Sequence, residues 1–164
     1  MGVWYIDPML IEQTREGIRL VPQRSFAGLM TLYENNYLRL GRVLTPLKDP
    51  PELGLSRVAG DLDLHLETLE RCRYTTTLRL TYWFSGDRGS YPDPDLIVRL
   101  YHDARMAEVT SCCQYHTHRV LRPWHTPGGE EIRERWARNQ MFHKWLEFCI
   151  EHGHQLEPVE IRPL

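Results

Sequence analysis

His102 and Asp103 stand side by side in a short polar run between two alternating segments, Leu96 to Tyr101 and Met106 to Val109. An imidazole titrates near neutral pH and an adjacent carboxylate can set its tautomer, so the pair has the ingredients of a general base. Both are also good turn residues, and a plain turn is the stronger reading of two sequence neighbours. Pairing the segments antiparallel about that turn sets Arg99 against Glu108 and Tyr101 against Met106 on one face, with Val98/Val109 and Leu100/Ala107 on the other. Arg99, steadied by Glu108, could then anchor an anion, with Arg73 and Tyr74 approaching from a neighbouring turn. The simpler account is a surface charge ladder, worth about 0 to 1 kcal/mol per exposed pair.

Other polar residues raise narrower questions. Asn139 and His143 fall within an apolar helical stripe between Trp136 and Leu146, and Asn36 lies at the edge of an earlier stripe. Buried there, each must find a hydrogen-bond partner or cost about 1 to 3 kcal/mol, which points to a structural network ahead of a pocket floor. His116-x-His118, with His125, His152 and His154, offers only a weak metal set, because no acidic or cysteine partner stands at helpful spacing. Arg119, Arg122, Arg133, Arg135 and Arg138 with Trp124 and Trp136 suggest a nucleic-acid surface, but Glu130, Glu131 and Glu134 neutralise it. No phosphate loop, nucleophile elbow, metalloprotease helix or dinucleotide fingerprint is present, so the sequence calls for no cofactor.

Composition narrows the classes further. At 164 residues the chain suits one domain, and no apolar run approaches the ~20 residues of a membrane span. A net charge of −2 argues against generic binding of nucleic acid. Cys72, Cys112, Cys113 and Cys149 form no C-x-x-C pair and read as reduced thiols. The first twenty residues carry Asp7, Glu12 and Glu16 and make a poor secretory signal, which leaves the cytoplasm as the default compartment.

The elements that must position these residues follow from periodicity. Residues 1–23 show no sustained period and read as an N-terminal extension that docks weakly or stays mobile. Phe26, Leu29, Met30, Tyr33, Tyr37, Leu40 and Leu44 recur at three- and four-residue steps behind an N-capping Ser25. That predicts a helix, followed by a loop over Leu47 to Gly54. Strict alternation then predicts strands at Leu62 to Glu67 and Thr77 to Phe84, a long loop from Ser85 to Asp95, and the hairpin carrying His102. Glu130 to His152 reads as a long closing helix with Ile132, Trp136, Phe142, Leu146, Cys149 and Ile150 on its stripe and Gly153 as its stop. The expected fold is α+β: an antiparallel four- to five-stranded meander with the N-terminal and the long C-terminal helix on one face. Its single domain covers residues 24–153, with 154–164 as a tail.

Several of these segments together resemble the YqiB-like bacterial family, domain of unknown function 1249. They are Glu34-x-Asn36-Tyr37, Arg73-Tyr74-Thr75-Thr76, Val98 through Ala104 with Ala107-Glu108-Val109, and Asn139-Gln140 with Trp145-Leu146, Cys149 and His152-Gly153. The resemblance implies a cytosolic bacterial protein and brings no activity, substrate or cofactor with it. The expected function is a non-enzymatic binding or interaction module. Arg73, Tyr74, Arg99, Tyr101, Glu108 and Asn139 would contact a protein or a small anionic ligand, with His102 and Asp103 at the hairpin tip. The alternative is a hydrolase of a nucleotide or other phosphorylated small molecule, with His102 and Asp103 in acid–base roles and Arg73 and Arg99 on phosphate.

Overall fold

A computed structural model of the chain describes residues 25–87, 89–112 and 132–159. The extension 1–23, Cys113, His116, His118, His125, Arg119, Arg122, Trp124, Glu130 and Glu131 lie outside the described residues.

Helix α1 spans Phe26–Val43. Ser25 starts it: its backbone is extended and its hydroxyl accepts the Gly28 N–H at 3.0 Å, satisfying one of the donors that a helix N-terminus leaves open. Leu29, Leu32, Tyr33, Tyr37, Leu40 and Val43 form the buried stripe, whereas Phe26 lies ahead of the core and is exposed.

The strands are β1 (Leu53–Ser56), β2 (Leu64–Arg71), β3 (Thr75–Gly86), β4 (Gly89–Tyr101), β5 (Met106–Cys112) and β6 (Glu157–Pro158), with helix α2 (Ile132–Glu151) between β5 and β6. They form one six-stranded sheet in the order β5-β4-β3-β2-β1-β6, every neighbouring pair antiparallel. The meander is therefore present, with two strands that the periodicity did not announce. Leu53 and Gly54, assigned to a loop, open β1, which is too short to display alternation and is fixed by pairing from Leu53↔Glu67 to Ser56↔Leu64. Beyond Gly153 the expected tail turns back into the domain. Leu156 is buried, its N–H donates to the Val43 carbonyl at 2.7 Å, and β6 covers the outer edge of β1.

The expected long loop from Ser85 to Asp95 is instead a hairpin extension, paired from Gly86↔Gly89 to Trp83↔Pro92. Gly89 supplies the positive φ of 111° that its tight turn requires. Pro92 and Pro94 are what made a loop the expectation, because prolines mark strand ends or edges. They lie past Leu96↔Cys112, where the pairing of β4 with β5 stops, so no described strand on that side needs their missing N–H groups.

Alternation places Leu64, Leu66, Leu78, Leu80, Leu96, Val98, Leu100, Ala107 and Val109 on one face, where they meet Leu40 and Val43 of α1 and Phe142, Leu146 and Cys149 of α2. Both helices thus cover the same face. Each fully buried aliphatic side chain contributes about 1.5 to 3 kcal/mol relative to exposure. On α2 the expected stripe is buried from Trp136 to Cys149, while Ile132 is exposed and Ile150 half-buried. The helix ends in a Schellman motif, with Gly153 N–H on the Ile150 carbonyl (3.1 Å) and His154 N–H on that of Cys149 (2.9 Å). Gly153 takes a φ of +79°, which turns His154 into the interior. Among the described residues no helix is long and apolar enough to cross a membrane.

Candidate functional site

The β2–β3 and β4–β5 turns meet at one end of the sheet. The His102 N–H donates to the Tyr74 carbonyl at 2.9 Å, and Thr75 and Thr77 pair with Tyr101 and Arg99. This end therefore gathers Arg73, Tyr74, Arg99, Tyr101, His102 and Asp103. The Arg73 guanidinium lies 5.1 Å from the centre of the exposed Tyr74 ring, within cation–π range. Neither Arg73 nor Arg99 forms an ion pair with a carboxylate among the described residues, and Arg99 is exposed beside the Tyr101 phenol. Burial first, and then the Glu108 charge, push the Tyr101 phenol up from its ordinary value, against a smaller opposing pull from Arg99.

His102 belongs to the same end but to the other face. Its Nε2 is 2.8 Å from Thr76 Oγ1, on the helix-facing side of β3, and Tyr37 of α1 stands edge-on to its ring at 6.5 Å. Burial, assisted by the Lys48 charge, lowers the pKa of the imidazole, and Asp103 opposes the shift. Asp103 is exposed in the turn. The sheet thus stands between the His102 ring and the face carrying Arg99 and Tyr101, so the structure does not bring the expected acid–base pair together with the expected anion anchor.

Glu108 sits opposite Arg99 in register, as the alternation implied, yet it is buried at 8 % exposure and its ion pair is with Arg135 of α2 at 3.2 Å. Tyr33 of α1 and Tyr101 also donate their hydroxyls to its carboxylate, at 3.1 and 3.0 Å. The cause is geometric: β5 is the edge strand, and both helices reach round it. Leu29, Leu32, Tyr33 and Trp136 form a second apolar cluster against Met106, on the side expected to be open. Glu108 is therefore a fixing point for the edge rather than part of an exposed ladder.

Asn139 is likewise internal. Its Oδ1 accepts the Val109 N–H at 2.9 Å, its Nδ2 donates to the Arg135 carbonyl at 2.8 Å, and its own carbonyl accepts from Asn36 Nδ2 at 3.2 Å. Arg138 Nε donates to the Val109 carbonyl at 3.3 Å. Together α2 satisfies both backbone groups of an edge residue that no described strand reaches, and Asn36, Asn139 and His143 form the anticipated network. Replacing Asn139 with leucine strands the Val109 N–H in a dry site. The expected loss is about 1 to 3 kcal/mol in urea unfolding, with amide exchange at Val109 accelerated beyond that of its β4 partner Val98. Unchanged protection at Val109 would contradict the cap.

Two features escaped the sequence reading. On the face away from the helices, a shallow groove of about 300 Å³ is floored by His65, Arg79 and Thr81 and bordered by the exposed Trp83. Arg79 is held there by both oxygens of Asp95, at 2.7 and 2.9 Å. The alternation did place these side chains outward, but a groove depends on how strands twist, which spacing alone does not carry. The second is the convergence of Ser56, Asp61 and His154, whose members are 98 and 93 positions apart and share no local motif.

An antiparallel sheet with both helices on one face and a polar opposite face defines the chain as an α+β domain, and no solved structure matches it. The chain belongs to the DUF1249 family, described as a protein of unknown function, whose profile matches residues 39–155. It is 30% identical over 141 residues to the uncharacterized protein YqiB of Escherichia coli strain K12, covering 82% of this chain and 94% of that relative. Proteins of the same name from the O6:H1 and O157:H7 strains match to the same extent.

Proposed function

We propose that this chain is a binding module that works by contact, engaging an anionic group through Arg73 and Tyr74 of the β2–β3 turn and Arg99 and Tyr101 of the adjoining end of β4. The group is a phosphate or carboxylate, on a small molecule or on an acidic stretch of a partner protein. One observation carries the reading: the hydrogen bond from His102 N–H to the Tyr74 carbonyl locks two hairpin turns together and so fixes Arg73 relative to Arg99. Two guanidiniums without carboxylate partners among the described residues, set beside two phenol rings, supply charge and a flat surface without a reacting group. Arginine also suits the role chemically, because its planar fork meets phosphate or carboxylate through two hydrogen bonds.

A thermal-shift screen with nucleotides, phosphorylated metabolites and dicarboxylates tests this, since a ligand that prefers the native state raises the melting temperature. The expected result is a stabilising anion whose affinity falls about tenfold or more in Arg99→Ala and again in Arg73→Ala, because each substitution removes a charge-assisted contact. Equal affinity for wild type and the double variant would overturn the assignment, as would a screen in which no anion stabilises the protein.

A further inference from the structure

At the opposite edge of the sheet, three residues from separate elements form a hydrogen-bonded chain. Ser56 ends β1, Asp61 lies in the β1–β2 connection, and His154 follows the Schellman turn of α2. His154 Nδ1 is 3.0 Å from Ser56 Oγ, and its Nε2 is 3.2 Å from Asp61 Oδ2 and 3.4 Å from the Tyr82 hydroxyl. A carboxylate only accepts, so Nε2 carries the ring proton toward Asp61, and Nδ1 is left to accept the proton of the Ser56 hydroxyl. The Gln155 N–H donates to Ser56 Oγ at 2.9 Å and holds the oxygen in place. The His154 side chain is fully buried, at 0% exposure.

Beside this chain lies a cleft of about 580 Å³. Ser56, 3 % exposed, is among the residues that line it, together with Leu55, Pro158 and Val159 on apolar walls and Arg57 among its polar groups. A nucleophile bonded to a base, a base bonded to an orienting carboxylate, and a space for the reacting carbon are three of the geometric requirements of acyl transfer, donors to the developing oxyanion being the fourth. The order of roles, not the order in sequence, defines such a triad.

We propose that Ser56, His154 and Asp61 form a nucleophilic centre that cleaves carboxylic esters with a short acyl group, a second site independent of the anion-binding end. Ser56 Oγ attacks the ester carbonyl while its proton passes to His154 Nδ1. Asp61, a positioning residue, keeps Nε2–H in place and balances the imidazolium charge. The carbon–oxygen bond to the alcohol then breaks, and the alkoxide leaves with the proton from Nδ1. Water adds to the acyl-serine, giving its proton to Nδ1, and that proton returns to Ser56 Oγ as the carboxylic acid departs.

The test uses the intact chain and a fluorophosphonate, which forms an Oγ–phosphorus bond with loss of fluoride only at an activated serine. The expected result is one adduct per chain, mapped by peptide mass to Ser56, and none in Ser56→Ala. Asp61→Asn should retain the wild-type melting temperature, yet label and turn over p-nitrophenyl acetate at least about tenfold more slowly, in kcat rather than KM. Because the wild-type adduct is located by mass, the result stands even where a variant folds poorly. No adduct with either the fluorophosphonate or the smaller phenylmethanesulfonyl fluoride, or an adduct at another residue, overturns the proposal. Equal rates in wild type and Asp61→Asn overturn the role of Asp61. Labelling that persists in Arg73→Ala/Arg99→Ala separates this site from the anion-binding reading.

Discussion

Phe142→Ala should destabilise the domain by about 3 to 5 kcal/mol, a large share of the roughly 5 to 15 kcal/mol that such a domain possesses. Phe142 is fully buried at the centre of α2, in the cluster formed by Leu40, Leu80, Val98 and Leu146, and its ring lies 6.4 Å from that of Trp145. Truncation removes most of a ring from water-free surroundings and leaves a cavity that two helices and a sheet, each held by its own hydrogen bonds, cannot collapse around. Urea unfolding should show the loss as a lower midpoint at nearly constant slope. A cost below about 1 kcal/mol would mean that α2 does not press on the sheet as described.

Acidification should weaken the protein through His143. This side chain is 2% exposed between the two helices, and its Nδ1–H donates to Asn36 Oδ1 at 3.0 Å. Burial is the main cause that lowers its pKa to about 4, with Arg39 adding to the shift and Glu147 opposing it. In the unfolded chain the imidazole has its ordinary value near 6.5. Between those two values the unfolded state binds more protons than the folded one, so stability rises with pH. The contribution of His143 is complete above about pH 6.5 and falls by about 3 kcal/mol as the pH drops to 4, at roughly 1.4 kcal/mol per unit. Urea titrations at several pH values should therefore show a steeper acid loss in wild type than in His143→Gln. Proton NMR should place the titration of the His143 ring near pH 4. Parallel pH profiles, or a ring that titrates near 6.5, would refute the account.

How much of the molecule could be read from sequence depended on segment length and on whether contacts were local. The register across the β4–β5 turn was legible because side chains alternate with a period of two, and one buried face forbids a slip of a single residue. The stripes of α1 and α2 were legible for the corresponding helical reason. β1 and β6, of four and two residues, carry no period and exist because a neighbouring edge needs partners. Within the candidate site, a meander whose alternate turns can share an end made the approach of Arg73 and Tyr74 to Arg99 and Tyr101 possible without fixing it, and the bond from His102 N–H to the Tyr74 carbonyl is what joins the two turns. The burial of Glu108 was not legible, because it depends on two helices curling round an edge strand. Ser56, Asp61 and His154 lay beyond any local pattern, since a glycine turn after a twenty-residue helix is what delivers the imidazole to β1.

The side-chain cap that α2 places on Val109 also governs how the protein behaves in company. A sheet margin with idle amides and carbonyls invites a second copy to zip alongside, and Asn139 and Arg138 occupy both groups at the middle of that margin. Crowded solutions of the intact fold should therefore stay clear. Brief fraying of α2 around Arg138 and Asn139 is the event that would turn the rim adhesive and seed aggregates.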